Sequence, residues 1–166
     1  MTEMNLEKQL ANLLESGKCM GLYMLSNTCK ASELEIIKAL PQGMAYLYEN
    51  KDFDNVWKFL CSIDSLTFFI ETSGNIFEIK TKVGEGREGF GYFNLFGSDR
   101  LNGHLTKSSV STIAFLKIPF MHLESRQIAF LNKDGKVMYS FYLPREQQQI
   151  EPIAEQAFND FVNHKE

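Results

Sequence analysis

Tyr92, Asn94 and His104 fall together in one short stretch, GYFNLFGSDRLNGHL, from Gly91 to Leu105. A phenolate and a neutral imidazole are both ligand types for iron. Strand parity puts Phe90, Tyr92, Asn94 and Phe96 on one face, and Gly89, Gly91, Phe93 and Leu95 on the other. The Tyr92 face is then aromatic with polar tips, which suits a flat, mostly apolar ligand needing a few fixed contacts. His104, wedged between Gly103 and Leu105, either meets that ligand or hydrogen-bonds a backbone carbonyl. His122 and His164 read as solvated.

The elements that must hold these residues can be read from periodicity. Leu6, Leu10, Leu13 and Leu14 form a helical stripe ended by Gly17, and a second short helix is expected over Met20 to Ser26. Ser32 and Glu35 fit a capping box, Leu34, Ile37 and Leu40 one helix face, and Pro41 a stop. Asp52 to Ile63 reads as a further helix, with Asp54 as N-cap and Val56, Trp57, Leu60 and Cys61 turned inward. From Leu66 the period changes to two. LTFFIET and NIFEIKTKV are strands joined through Ser73-Gly74, REGFGYFNLFG a third strand, and HLTKSSVSTIAFLKI a bent fourth. SRQIAFLNKDGKVMYSFYL is a hairpin turning at Asp134-Gly135. After Pro144 the pattern returns to helix, with Ile153, Ala157, Phe158, Phe161 and Val162 apolar. Helices, then antiparallel strands, then a helix define an α+β class. A single domain is expected: residues 1–43 a helical N-terminal segment, 44–145 a helix plus antiparallel sheet, and 146–166 a C-terminal helix.

Composition removes several function classes. A net charge of −4 leaves no electrostatic footprint for nucleic acid. The early helices resemble a helix-turn-helix in outline, but SELEIIKAL offers one lysine against two glutamates to a DNA groove. No apolar run of about 18 residues is present to span a bilayer. The polar start, with Glu3 and Glu7, argues against a secretory signal. Three scattered cysteines, Cys19, Cys29 and Cys61, fit a reducing cytoplasm better than disulfides or a zinc site. Fourteen phenylalanines suit a sheet-rich core or a pocket for a flat ligand.

The common catalytic signatures are missing: GxSxG, the Walker loop and HExxH. GEGREGFG, from Gly84 to Gly91, contains a GxGxxG fragment, but it leads into a strand. A dinucleotide loop needs a helix N-terminus to receive the pyrophosphate, so these glycines shape a loop or admit a close backbone approach.

From Val56 to Arg145 the chain resembles the HutX/ChuX family of cytosolic haem-utilisation proteins. The likeness rests on VWKFLCSIDSLTFFIETSGNIFEI, then GYFNLFG, NGHL and STIAFLKIPFMHLESRQIAFLNKDGKVMYSFYLPRE, in family order. It implies one half of the two-repeat HemS/ChuS-type haemoproteins, and a homodimer through a shared antiparallel sheet. It implies haem b as cargo, accepted in the cytoplasm and passed to a HutZ-like haem-degrading enzyme. Tyr92 matches the residue that ligates iron in some members, and His104 a histidine implicated in haem binding in others, here an alternative ligand or a partner of the phenolate. Phe90 and Phe96 would lie along the porphyrin, with Asn94 among the contacts. Glu71 departs from the pattern, standing where other members have a second haem-linked histidine; a carboxylate is a poor haem-iron ligand, so weight shifts to Tyr92. Two other readings compete: a haem-degrading enzyme, and a non-haem interaction or regulatory domain acting through the N-terminal helices.

Overall fold

The computed structural model describes residues 5–164; residues 1–4 and 165–166, and with them Glu3, lie outside the described residues. Three helices lead the chain: α1 (Leu6–Glu15), α2 (Leu22–Cys29) and α3 (Glu33–Ala39). The Asn5 side chain caps α1 by accepting from the Glu7 N–H at 3.0 Å. At α3 the capping box closes in both directions: the Glu35 N–H donates to Ser32 Oγ at 3.3 Å, and the Ser32 N–H to the Glu35 carboxylate at 2.8 Å. The hydrogen bonds from the Ser32 side chain and backbone hold that carboxyl below its usual pKa.

Next come β1 (Ala45–Glu49), α4 (Phe53–Cys61), β2 (Leu66–Thr72) and β3 (Asn75–Thr81), then three short strands, β4 (Arg87–Gly89), β5 (Tyr92–Leu95) and β6 (Gly103–Leu105). The chain continues through β7 (Thr112–Leu116), β8 (Gln127–Leu131), β9 (Val137–Tyr142), β10 (Arg145–Glu146), β11 (Gln149–Ile150) and α5 (Pro152–Asn163). One six-stranded sheet runs in the order β1-β7-β8-β9-β2-β3, antiparallel throughout. A separate three-stranded sheet, β4-β5-β6, carries Tyr92 and His104. Ser73 (φ 52°) and Gly74 (φ 82°) join β2 to β3, both left-handed as a two-residue hairpin turn requires.

The central strands β7 and β8 of the large sheet are buried on both faces, and period-two alternation sorts their side chains between two cores. Ile113, Phe115, Ile128 and Phe130 face α4, α5 and the small sheet. Ala114, Leu116, Ala129 and Leu131 face α1, α2 and α3. Five phenylalanines, Phe53, Phe115, Phe130, Phe141 and Phe158, are completely buried, each contributing about 1.5–3 kcal/mol by leaving water.

Several expectations are corrected. Helix α2 begins at Leu22, because Met20 is engaged in a bridge with Phe120, and runs on to Cys29. Asp54 is not the N-cap of α4: the helix starts at Phe53 after Asp52, and Asp54 instead accepts from Lys107 Nζ at 2.7 Å. REGFGYFNLFG is two strands, not one, and the bent fourth strand is β6 and β7 in two different sheets, separated by a 3-10 turn at Lys107–Ser109. The C-terminal helix does not begin at residue 146; β10 and β11 occupy that stretch and α5 starts with Pro152 at its first turn. Ile153 is exposed, because α5 buries the stripe of Ala154, Phe158 and Val162.

Candidate functional site

The small sheet is anchored by the residues that alternate with the polar ones. Phe93 and Leu95 point into the core, and the Phe93 ring meets Phe53 and Trp57 edge-on at centroid distances of 5.3 and 5.1 Å. Trp57 Nε1–H donates to the Gly84 carbonyl at 2.9 Å, pinning the approach to β4. Gly86 (φ 70°) must lack a side chain, because a Cβ there would run into the Phe93 ring. The glycines of GEGREGFG therefore permit close packing, and the segment opens β4, not a helix. Lys107 clamps the outside: its ammonium reaches Asp54 at 2.7 Å and Glu88 at 3.3 Å and lies 5.1 Å above the Phe53 ring. Its hydrogen bond to the Asp54 carboxylate leads in raising its pKa.

On this support Asn94 and His104 stand directly opposite one another across β5 and β6. Asn94 is 7% exposed, and its amide nitrogen lies within 3.1 Å of three carbonyl oxygens, those of Arg87, Gly89 and Tyr92. The amide N–H groups are thereby committed, so Asn94 Oδ1 is the acceptor toward His104 Nδ1, 2.6 Å away. His104 therefore donates from Nδ1, and in the neutral ring Nε2 is the nitrogen that carries the lone pair. Tyr92, two residues before Asn94 on the same face, is 46% exposed, and its ring centroid lies 5.8 Å from that of His104. A phenol and an imidazole with an available nitrogen thus share an open surface.

Phe90 does not sit on the Tyr92 face by strand parity. With Gly91 (φ 81°) it forms the two-residue turn of the β4–β5 hairpin, where Gly89 pairs with Tyr92, and it adopts φ 53° with its side chain fully exposed. A bulky residue in left-handed backbone is uncommon, and a fully solvated phenylalanine there does no packing; such outliers cluster at ligand clamps. Phe96 follows the last paired residue of β5 and is also exposed. The structure thus brings Tyr92, Asn94 and His104 together and sets Phe90 and Phe96 at the two ends of their strand.

Glu71 is occupied elsewhere. Its carboxylate accepts from the Gly74 N–H at 2.6 Å within the β2–β3 turn and lies 4.0 Å from Lys136. Of the other histidines, His122 is exposed and lies against Gly17, and His164 is exposed with Nδ1 on the Asp160 carbonyl oxygen. Among the described residues no group of three or more His, Cys, Asp or Glu side chains is arranged to hold a bare metal ion. One or two protein donors suffice only when iron arrives with other ligands, as within a porphyrin.

Sequence reasoning missed a second feature, a cavity of about 900 Å³ between α2 and the edge of the large sheet, which contains neither Tyr92 nor His104. Its signal was faint: apolar residues on α2 outside the buried stripe, and apolar side chains on the outer face of β3.

The family model described as Haem utilisation ChuX/HutX matches residues 46–161, a span that includes both Tyr92 and His104. The "Intracellular heme transport protein HutX" of Vibrio cholerae is 30% identical over 92% of this chain and 79% of its own. The solved "Heme Binding Protein ChuX" is 25% identical and superposes with a TM-score of 0.83, covering 96% of this chain and 98% of its own. The Escherichia coli O157:H7 "heme degrading enzyme ChuS", at 12% identity, shares the fold alone, with a TM-score of 0.74 over 91% of this chain and 47% of that one. This chain therefore has the fold of one half of that larger protein. Among the described residues no helix is long and apolar enough to cross a membrane.

Proposed function

This chain belongs to the ChuX/HutX haem-utilisation family, and from that premise we propose that it is a haem carrier of the cytoplasm, holding haem against β4-β5-β6 and delivering it to a HutZ-like haem-degrading enzyme. The observation that carries the reading is a half-exposed Tyr92 phenol beside a histidine whose Nδ1 is held by a buried Asn94, so that Nε2 is the ring nitrogen left for a ligand. Tyr92 is the proposed ferric-iron ligand through its phenolate oxygen, and His104 Nε2 takes the phenol proton by hydrogen bond or approaches the other face of the iron. Phe90 and Phe96 lie against the macrocycle. Haem b is the cargo that fits, since covalent c-type attachment needs a CxxCH motif the sequence lacks. Anionic oxygen ligation favours ferric over ferrous iron and so disfavours oxygen activation, which supports carriage over degradation.

A homodimer is part of the proposal. Edge strand β3 presents Ile76, Phe77 and Ile79 about half-exposed, and pairing with a second copy would cover that edge. Sedimentation equilibrium giving the 19.1 kDa chain mass at micromolar concentration would contradict it. Delivery needs a docking surface near the haem edge, and the exposed loop Ser98 to Asn102 supplies one; it is folded by the Asn102 side-chain amide on the Gly97 and Arg100 carbonyls. Escape into water would return several hundred Å2 of haem surface to solvent at about 25 cal/mol per Å2, so contact with an acceptor should be the faster route. Stopped-flow transfer should accelerate with acceptor concentration; a rate equal to that for an apomyoglobin scavenger means passive release.

The decisive test is a hemin titration. Wild type should give a Soret band with a phenolate-to-iron charge-transfer signature, and Tyr92→Phe should lose that signature and retain haem poorly. His104→Ala should weaken binding about 10- to 100-fold, the range for partners that orient a metal ligand. Spectra unchanged in both variants would place the iron elsewhere.

A further inference from the structure

We propose that Arg87 is a carboxylate clamp on the small sheet: it holds a propionate of the porphyrin and selects macrocycles that carry free acid groups. The clamp rests on the haem reading and adds to it a residue that sets specificity. Residues directly opposite one another in an antiparallel pair share a face. Arg87 pairs with Asn94, and Asn94 with His104, so the three form one row across β4, β5 and β6. Adjacent strands lie about 4.7–4.9 Å apart, which puts the backbones of Arg87 and His104 about 10 Å apart, on either flank of the strand that carries Tyr92. The other β4 position on that face is Gly89, opposite Tyr92, and it adds no side chain. Between the flanks the floor is therefore low, with Asn94 buried and Gly89 bare. A flat ring system can lie on it.

The Arg87 guanidinium is uncommitted. It is exposed, and among the described residues it makes no ion pair and no side-chain hydrogen bond. Its neighbour Glu88 lies on the opposite face by alternation and is held by Lys107 at 3.3 Å, so it does not neutralise the charge. The nearby cations are placed otherwise. Lys107 is taken by Asp54 and Glu88, and Arg100 packs against Gly97, where a Cβ would collide with its side chain. The face thus offers an unpaired positive charge on its β4 flank, a phenol and an imidazole beside it, and exposed rings, Phe90 and Phe96, at the two ends of β5. Haem b has the same division, an apolar ring with two propionates on one edge. That edge lies over β4, where a guanidinium fork can give a carboxylate two parallel hydrogen bonds.

The test keeps the iron and removes the acids. Full-length protein is titrated with hemin and with hemin dimethyl ester in one detergent buffer, followed by the Soret band and the phenolate-to-iron charge-transfer band. Wild type should hold the ester about fivefold more weakly, the upper range for an ion pair at a surface. The gap should close between about 0.01 M and about 1 M salt, as the Debye length falls from about 30 Å to about 3 Å. Arg87→Gln should weaken hemin by that factor, leave the ester unchanged and keep the charge-transfer band in place. Arg87→Lys should restore part of the loss, since an ammonium supplies the charge without the fork. Arg100→Gln should change neither ligand. Equal affinity for acid and ester in wild type, equal loss of both in Arg87→Gln, or a gap that only Arg100→Gln removes overturns the clamp and leaves the haem reading standing. Absence of saturable hemin binding, or a charge-transfer band that survives Tyr92→Phe, overturns the haem reading and the clamp with it.

Discussion

The β4-β5-β6 face and the chamber under α2 are opposites in construction. At the first, each polar group has a fixed role: Asn94 is buried, saturated by three carbonyl oxygens, and dictates which nitrogen of His104 is free. Tyr92, Phe90 and Phe96 stand open to solvent. Under α2 the walls are mostly apolar and open on one side, and among the described residues Arg145 is held only by the Glu124 carbonyl. Polar pairing and access are thus divided differently in the two places, each carried by its own sheet.

Mutations that act on one region and spare the other test the contrast. The largest effect should come from Phe93→Ala. The ring anchors the small sheet against Phe53 and Trp57, and its loss should cost about 3–5 kcal/mol by urea unfolding. Haem retention should fail with it. A Phe93→Ala protein that keeps a normal Soret band would show that the hairpin needs no core to hold its geometry.

Asn94→Leu should cost about 1–3 kcal/mol, because carbonyls bonded to the amide lose their donor. It should also release the His104 tautomer, visible as mixed Nδ1 and Nε2 protonation by nitrogen NMR. One retained tautomer would mean that another group holds the ring. Ser32→Ala removes the α3 cap and should cost about 1 kcal/mol, entirely in the helical layer, with the hemin titration unmoved.

The smallest effect concerns pH. Burial pushes the Glu33 carboxyl above the usual carboxylate range, opposed by the Val137 N–H that donates to it at 2.6 Å and by Lys136. An acid raised in the fold binds more protons folded than unfolded. Its contribution to stability is therefore full below the ordinary carboxylate pKa and is lost as pH rises through that value toward the raised one. Glu33→Gln should flatten this part of the stability profile. A Glu33→Gln profile parallel to wild type across about pH 4–7 would assign the dependence to other groups.

The sequence was most legible where chemistry is local. The capping box at Ser32 and Glu35, the turns at Ser73-Gly74 and Asp134-Gly135, and the helical stripe from Leu6 to Leu14 all follow from neighbours within a few residues. Strand alternation foretold that Tyr92 and Asn94 would face together, away from Phe93 and Leu95. It failed at Phe90, where a two-residue turn interrupts the period, and between His104 and Thr112, where the chain changes sheets. No local rule marks either break, since a strand pattern reads the same whether or not its residues pair with one partner.

What the amino-acid order determined alone is therefore the helical stripe of α1, the capping box of α3, the β2–β3 and β8–β9 hairpins, and the residue types available for iron chemistry. Tertiary structure decided the rest. Asn94 acquires its role only because β4 returns antiparallel and brings the Arg87 and Gly89 carbonyls to its amide, and β6 arrives in the one register that puts His104 opposite. The chamber exists only because α2 meets β2, β3 and β9, segments far apart in the chain. The partner that a histidine nitrogen finds and the volume of a cleft are properties of several backbones held at fixed distances, and no pattern within a single segment can encode them.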